Sequence, residues 1–216
     1  MTMSKKGMKS FQADSIIALF VLCTVLSACS VNEKPLPVYG QRTFNGTDTT
    51  YHTIAPFALY DQDSVLVTNA TVKGKVYVAD FFFTSCRTIC PKMKKQMTRV
   101  YEATAEMPDF VILSHTIDPE HDNVDYLHGY AGRLGAKAER WHFLTGNRDS
   151  IFHLAQTSYF ATAMEDKAEP DGYIHSGAFL LIDRQGRIRG KYDGTVEEET
   201  NRLIADIKRL RREGEQ

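Results

Sequence analysis

The run Val76-Tyr77-Val78-Ala79-Asp80-Phe81-Phe82-Phe83 has a single charged residue in it and leads through a short loop to Pro91. β-Branched and aromatic residues dominate it, and its nearly continuous apolar character marks a central strand buried on both faces. Pro91 suits a first helical turn, where its missing N–H costs nothing. The chain therefore turns from buried strand into helix within a few residues, and Cys86 and Cys90, with three residues between them, lie in that turn. Thiols so placed can hold a metal, exchange a disulfide, or form a plain structural crosslink.

The flanking segments set the fold class. Ile54 to Tyr60 and Val65 to Thr68 read as a hairpin around Asp61-Gln62-Asp63. Met93, Met97, Val100 and Tyr101 recur at helical spacing and predict a helix from Pro91 to about Ala105. Phe110 to Ile117 is a second apolar strand, stopped by Asp118-Pro119. Val124 to Leu134 reads as a helix, Trp141 to Leu144 as a strand, and Asp149 to about Ser158 as a helix with Asp149 near its cap. Ala178 to Asp183 and Ile188 to Tyr192 make a hairpin around Arg184-Gln185-Gly186, and Val196 to about Arg212 an amphipathic helix. Alternating strands and helices imply an α/β fold with a central, mostly parallel sheet flanked by helices, an N-terminal hairpin, and a C-terminal antiparallel hairpin plus helix. A cysteine pair after the first long central strand is the thioredoxin arrangement, although thioredoxins have two residues between their cysteines.

The ends bound the environment. Lys5, Lys6 and Lys9 precede a mostly apolar stretch from Ile16 to Leu26, shorter than the ~20 residues of a membrane-spanning helix. Leu26-Ser27-Ala28-Cys29 follows and resembles the lipobox of bacterial lipoproteins, which implies cleavage before Cys29 and its lipidation. The expected organisation is a lipoprotein signal peptide over 1–28, a flexible tether over 29–50, and a thioredoxin-like domain over 51–216. The expected location is outside the cytoplasm, on a bacterial membrane. Loss of Lys5, Lys6, Lys9 and Asp14 with the leader takes the formal charge from -1 to -3, with no nucleic-acid footprint. Of four cysteines, Cys86 and Cys90 remain as a thiol pair, open to a disulfide, a metal site, or both in turn.

A third metal ligand has seven histidines to come from: His52, His115, His121, His128, His142, His153 and His175. His175 stands apart, because Gly172-Tyr173-Ile174-His175-Ser176-Gly177 leads directly into the Ala178–Asp183 strand. In a thioredoxin-like sheet the loop before that strand lies beside the cysteine loop. His128 falls in a predicted helix and His142 in a strand. Met93 and Met97 fit a buried helix stripe better than a pair of soft copper ligands. The helix N-terminus, Arg87 and Lys92 are expected to favour the thiolate at Cys90.

Three segments in order carry a resemblance. Phe83-Thr84-Ser85-Cys86-Arg87-Thr88-Ile89-Cys90-Pro91, Ser114-His115-Thr116-Ile117-Asp118-Pro119-Glu120-His121-Asp122, and His175-Ser176 before Leu180-Leu181-Ile182-Asp183 resemble the motifs of the Sco/SenC copper chaperones. The resemblance implies Cys86 and Cys90 as thiolate ligands and His175 as imidazole ligand. That set suits trigonal Cu(I), or Cu(II) with a further weak ligand. It also implies a Cys86–Cys90 disulfide when oxidised, and an acidic position at Asp118 that shapes the site or a docking surface. Asp118 equally suits a turn cap before Pro119. Arg87 departs from the proline many family members carry there.

The resemblance implies a membrane-tethered metallochaperone that delivers copper to the CuA centre of cytochrome c oxidase. Its partners would be the oxidase's copper-binding subunit, another copper chaperone or a thiol–disulfide reductase, and the membrane. The alternative is a thiol–disulfide oxidoreductase that reduces the cysteines of the oxidase subunit or another exported protein. In that case Cys86 would attack and Cys90 resolve. Peroxide reduction fits less well, since the loop lacks the peroxidase pattern.

Overall fold

The computed structural model describes residues 34–166 and 172–213. The expected signal peptide and Cys29 lie outside the described residues. Strands β1 (Arg42–Phe44) and β2 (Thr49–Tyr51) form one antiparallel hairpin, and β3 (Ala58–Tyr60) and β4 (Leu66–Thr68) the expected second one. Then come β5 (Val76–Phe82), α1 (Cys90–Ala103), β6 (Phe110–Thr116), α2 (Val124–Leu134), β7 (Trp141–Leu144) and α3 (Arg148–His153). A π-helical turn, Leu154–Ser158, continues α3, and β8 (Ala163–Glu165), β9 (Tyr173–His175), β10 (Ala178–Ile182), β11 (Ile188–Asp193) and α4 (Glu197–Glu213) complete the chain.

The central sheet has the order β11-β10-β5-β6-β7. β5 pairs in parallel with β6, and β6 with β7, whereas β10 runs antiparallel to both β5 and β11. Four strands thus share one direction and β10 alone opposes them. Every residue of β5 and β6 is buried. That is the consequence of an apolar run with helices on both faces, and it places these strands at the sheet's centre.

α1 begins as Pro91 predicts, without a side-chain cap, and turns Cys90, Met93, Met97 and Val100 inward. The two methionines are core residues. Asn147, not Asp149, caps α3: its side chain accepts from the Ser150 N–H at 2.9 Å, and Asp149 sits in the first turn. α4 buries Leu203, Ile207 and Leu210 and keeps Arg211 and Arg212 in its last turn.

Within the stretch 29–50 expected as tether, Leu36, Pro37 and Tyr39 are held against the domain, the Tyr39 N–H donating to Ile188 O at 2.9 Å. Leu36 is buried, and its N–H donates to Glu213 Oε1 at 2.7 Å. Arg189 is buried too and donates to Leu36 O at 2.6 Å, Pro37 O at 3.1 Å, Asp183 Oδ2 at 3.1 Å and Glu213 Oε2 at 2.6 Å. A guanidinium fork that spends its donors on two backbone carbonyls and two carboxylates fixes this segment in a way composition does not reveal.

Asp80, in the middle of β5, is buried and accepts the Ser114 hydroxyl at 2.5 Å, while Ser114 Oγ accepts from Trp141 Nε1 at 2.9 Å. Burial raises the Asp80 carboxyl to about 7, and the Ser114 bond only partly opposes this. The unfolded chain ionises this group first. The stability it contributes is therefore full below the ordinary carboxylate range near 4 and is lost as pH rises to about 7. Asp80→Asn keeps an acceptor for Ser114 and removes the ionisation. At ~1.4 kcal/mol per pH unit, its gain over wild type should be about 2–3 kcal/mol larger at pH 8 than at pH 5. Denaturant melts at the two pH values measure this, and equal gains would mean that Asp80 ionises as it does in the unfolded chain.

Candidate metal centre

The chain leaves β5 at Phe82 and reaches α1 at Cys90, and the residues between form the candidate site. Phe83 stays buried, and the Cys86 N–H donates to its carbonyl at 3.3 Å, a tight turn that points Cys86 back over the end of the sheet. Ile89 O accepts from Lys92 and Met93 N–H at 3.0 Å each, which closes the first turn of α1 around Cys90. Both cysteines are free thiols and are 7% exposed.

The third group comes from the far side of the sequence. β9 ends at His175, and two residues later β10 enters the sheet beside β5. His175 Nε2 lies 3.2 Å from Cys90 Sγ and 4.0 Å from Cys86 Sγ. One ligand atom from each residue falls within 4.8 Å of the other two, and this is the sole such cluster among the described residues. The Phe83 ring meets the His175 ring edge to face with centroids 5.6 Å apart, which fixes the plane of the imidazole.

The other histidines are placed elsewhere. His115 is in the core, with Nδ1 3.2 Å from Asp80 O. His142 Nδ1 lies 3.0 Å from Asp61 Oδ2, His128 Nδ1 2.9 Å from Asp63 Oδ1, and His52 Nε2 2.7 Å from Ser158 O. His121 contacts Asp122, and His153 ends α3.

The electrostatics of the two thiols differ, and not as the helix dipole alone suggests. Burial pushes Cys90 well above the ordinary thiol range, and the neighbouring Cys86 and Asp80 add to that. At Cys86 burial also works upward, but hydrogen bonds from Thr88 and Cys90 outweigh it and the net shift is downward. Thr88 Oγ1 lies 3.5 Å from Cys86 Sγ. The surroundings thus favour the thiolate at Cys86 rather than at the expected Cys90, since burial is the largest effect on the Cys90 sulfur and works upward. Burial holds His175 below the usual imidazole range, which favours the neutral ring, the form able to ligate a metal.

Asp118 lies beside the histidine arm. The Tyr173 hydroxyl donates to Asp118 Oδ1 at 3.1 Å, and Tyr173 also packs on Phe83 at 5.2 Å. Asp118 thereby braces β9 two residues before His175. Tyr173 and Thr88 were not singled out from the sequence. Their neighbours in the motifs are the only signal that could have found them.

A thioredoxin-like sheet that carries two thiols and an imidazole at the end of its central strand defines a class of proteins that handle soft metals and disulfides. The family follows from sequence: the SCO1/SenC profile matches residues 45–212, and the chain belongs to that family. A SCO1/SenC family lipoprotein from Bacillus anthracis superposes with a TM-score of 0.67 at 29% identity, over 74% of this chain and 95% of that one. BsSco, a member of the Sco family of cytochrome c oxidase assembly proteins with a disulfide switch, superposes with 0.64 at 34% identity, over 74% and 93%. ScoI of Bradyrhizobium japonicum with copper bound superposes with 0.59 at 26% identity, over 73% and 99%.

Two outcomes check this geometry. Limited alkylation of the reduced protein near pH 7.5 should mark Cys86 ahead of Cys90 by about tenfold or more, read by peptide mass spectrometry, since the thiolate is the nucleophile. Preferential marking of Cys90 would contradict the order of the two thiols. Tyr173→Phe should speed amide exchange in β8 and β9 roughly fivefold, the worth of a net hydrogen bond of about 1 kcal/mol. Unchanged exchange there would show that Asp118 does not brace the arm.

Proposed function

We propose that this chain is a copper chaperone in which Cys86, Cys90 and His175 hold the ion. The convergence of two thiol sulfurs and one imidazole nitrogen within 4.8 Å, at a partly covered end of the sheet, carries the reading. Soft sulfur with one imidazole suits Cu(I), and a further weak ligand would accommodate Cu(II). The copper-bound ScoI relative supports this choice of metal.

The dithiol form is the competent one, since a Cys86–Cys90 disulfide leaves no thiolate for the ion. The sites on both sides are thiol-rich, so transfer proceeds by ligand exchange. A recipient's cysteines displace Cys86, Cys90 and His175 in turn. The recipient proposed is the copper-binding subunit of cytochrome c oxidase at its CuA centre. The assembly role of BsSco supports this. Another copper chaperone or a thiol–disulfide reductase would supply the metal or keep the thiols reduced. The lipobox-like sequence ending in Cys29, together with the Bacillus anthracis lipoprotein relative, supports cleavage after residue 28 and lipid tethering outside the cytoplasm. Among the described residues no helix is long and apolar enough to cross a membrane.

A second reading has one observation in its favour. A lowered Cys86 beside a raised Cys90 is the asymmetry of an attacking and a resolving thiol, as in a thiol–disulfide oxidoreductase acting on the oxidase subunit or another exported protein. His175 separates the two readings. Titration of the reduced protein with Cu(I) against a competing chelator should give one tightly held ion per chain. Cys86→Ser, Cys90→Ser and His175→Ala should each weaken it by about 1.4 kcal/mol or more, a factor of ten. Disulfide exchange should survive in His175→Ala alone. A reduced wild type that holds no copper tightly but exchanges its disulfide readily would establish the oxidoreductase.

A further inference from the structure

Asp122 has no solvent exposure, and its carboxylate collects donors from three places in the chain. Oδ2 accepts the Thr84 N–H at 3.0 Å and the Thr116 hydroxyl at 2.6 Å. Oδ1 accepts the Thr84 hydroxyl, and His121 Nδ1 lies 2.9 Å from it. Asp122's own N–H donates to Asp118 O at 2.8 Å, which closes the loop after β6 into a single turn. His121, exposed, also stands 3.3 Å from Thr84 Oγ1 and packs on Tyr126.

These bonds fall at the point where the sheet stops holding the chain. The last ladder bond at this end runs from Ile117 N–H to Phe82 O at 2.9 Å. Past Phe82, Thr84 is the next residue whose backbone and side chain are both held, and Asp122 holds both. Cys86 follows two residues later. Thr116, the last residue of β6, ties the same carboxylate to the neighbouring strand. The direction in which residues 84–90 leave the sheet is therefore set by one buried side chain that offers no atom to the metal cluster.

We propose that Asp122 is the positioning residue of the metal centre. By holding Thr84 through two hydrogen bonds, it sets the path of the cysteine loop and so the distances of Cys86 Sγ from Cys90 Sγ and from His175 Nε2. One of the two readouts below rests on the copper reading, whereas the other needs no metal. Disulfide bonding demands narrow geometry at both β-carbons, so a change in loop path alters the stability of the Cys86–Cys90 disulfide as well as metal affinity.

The experiment compares the wild-type chain with Asp122→Asn, Thr84→Val and Thr116→Val. Thr84→Val removes the hydroxyl bond to Asp122 on the cysteine-loop side. Thr116→Val removes a hydroxyl bond to the same carboxylate on the strand side and the acceptor of the Asp118 N–H at 3.1 Å, and leaves residues 84–90 untouched, so that the disulfide equilibrium, in which His175 takes no part, is its deciding readout. The first readout is the equilibrium of the Cys86–Cys90 disulfide with glutathione, in which two glutathione thiols give two electrons and two protons and leave as one disulfide. The second is Cu(I) affinity by chelator competition, with thermal melts alongside.

Asp122→Asn and Thr84→Val should each shift the disulfide equilibrium and lower copper affinity by about tenfold or more. Thr116→Val should melt at least as early as Thr84→Val yet keep the disulfide equilibrium near wild type. A wild-type disulfide equilibrium in Thr84→Val, or an equal shift in Thr116→Val, overturns the proposal. Should Asp122→Asn not fold, Thr84→Val decides alone. Disulfide shifts without any tight copper in the wild type would sustain the positioning role and sink the copper reading. Tight copper with unchanged constants in the variants would do the reverse.

Discussion

The antiparallel pairing of β10 with β5 is the constraint on which the candidate metal centre depends. Leu180 faces Ala79 and Ile182 faces Tyr77, so β10 begins near the end of β5 that carries the cysteines. Residues 89 positions apart in sequence thereby come within 4.0 Å, without a loop needing to find its partner. Had β10 run parallel, the segment before it would open at the opposite end of the sheet, and His175 would lie far from both sulfurs. The Asp80–Ser114 bond pins the register of β5 on β6, since a slip by one residue would carry Asp80 to the other face, away from Ser114.

The same surroundings tune the three groups in different directions. Burial raises Cys90 and lowers His175, while hydrogen bonding wins over burial at Cys86. The site therefore keeps one sulfur readily deprotonated, one reluctant, and one neutral imidazole. Such a set suits a soft cation, for which the Cys90 thiol gives up its proton on binding, and a disulfide with a defined order of attack. Copper handling and thiol chemistry thus need no separate architecture here, and it is His175 that distinguishes them.

Much of this was legible in the chain, for physical reasons that can be named. β5, β6 and β7 are apolar runs, and α2 falls on the predicted residues because Asn123 caps one end and Gly135 the other. The Cys86, Cys90 and His175 set was legible because each sits at the end of an element whose type was clear. Three things were not. The order of the thiol shifts depends on desolvation, which spacing does not report. Asp122 looks like one more polar loop residue until Thr84 and Thr116 are seen to converge on it. Residues 29–50 read as linker because their composition is polar, yet Arg189, more than 150 positions away from Leu36 and Pro37, holds both in place.

That last contact has a mechanical side. Arg189 lies next to Ile188, which pairs with Ile182 and through it with Tyr77 at the start of β5, whereas the cysteine loop follows the end of β5. A pull on the segment before Leu36 is met by Arg189, Asp183 and Glu213, at the end of the sheet remote from the sulfurs. The load runs into a strand edge and the last turn of α4, and the seven residues of β5 stand between it and the metal loop. A load entering before Leu36 would thus be taken up at the end of the sheet away from the sulfurs, and the grip at the other end would keep its shape.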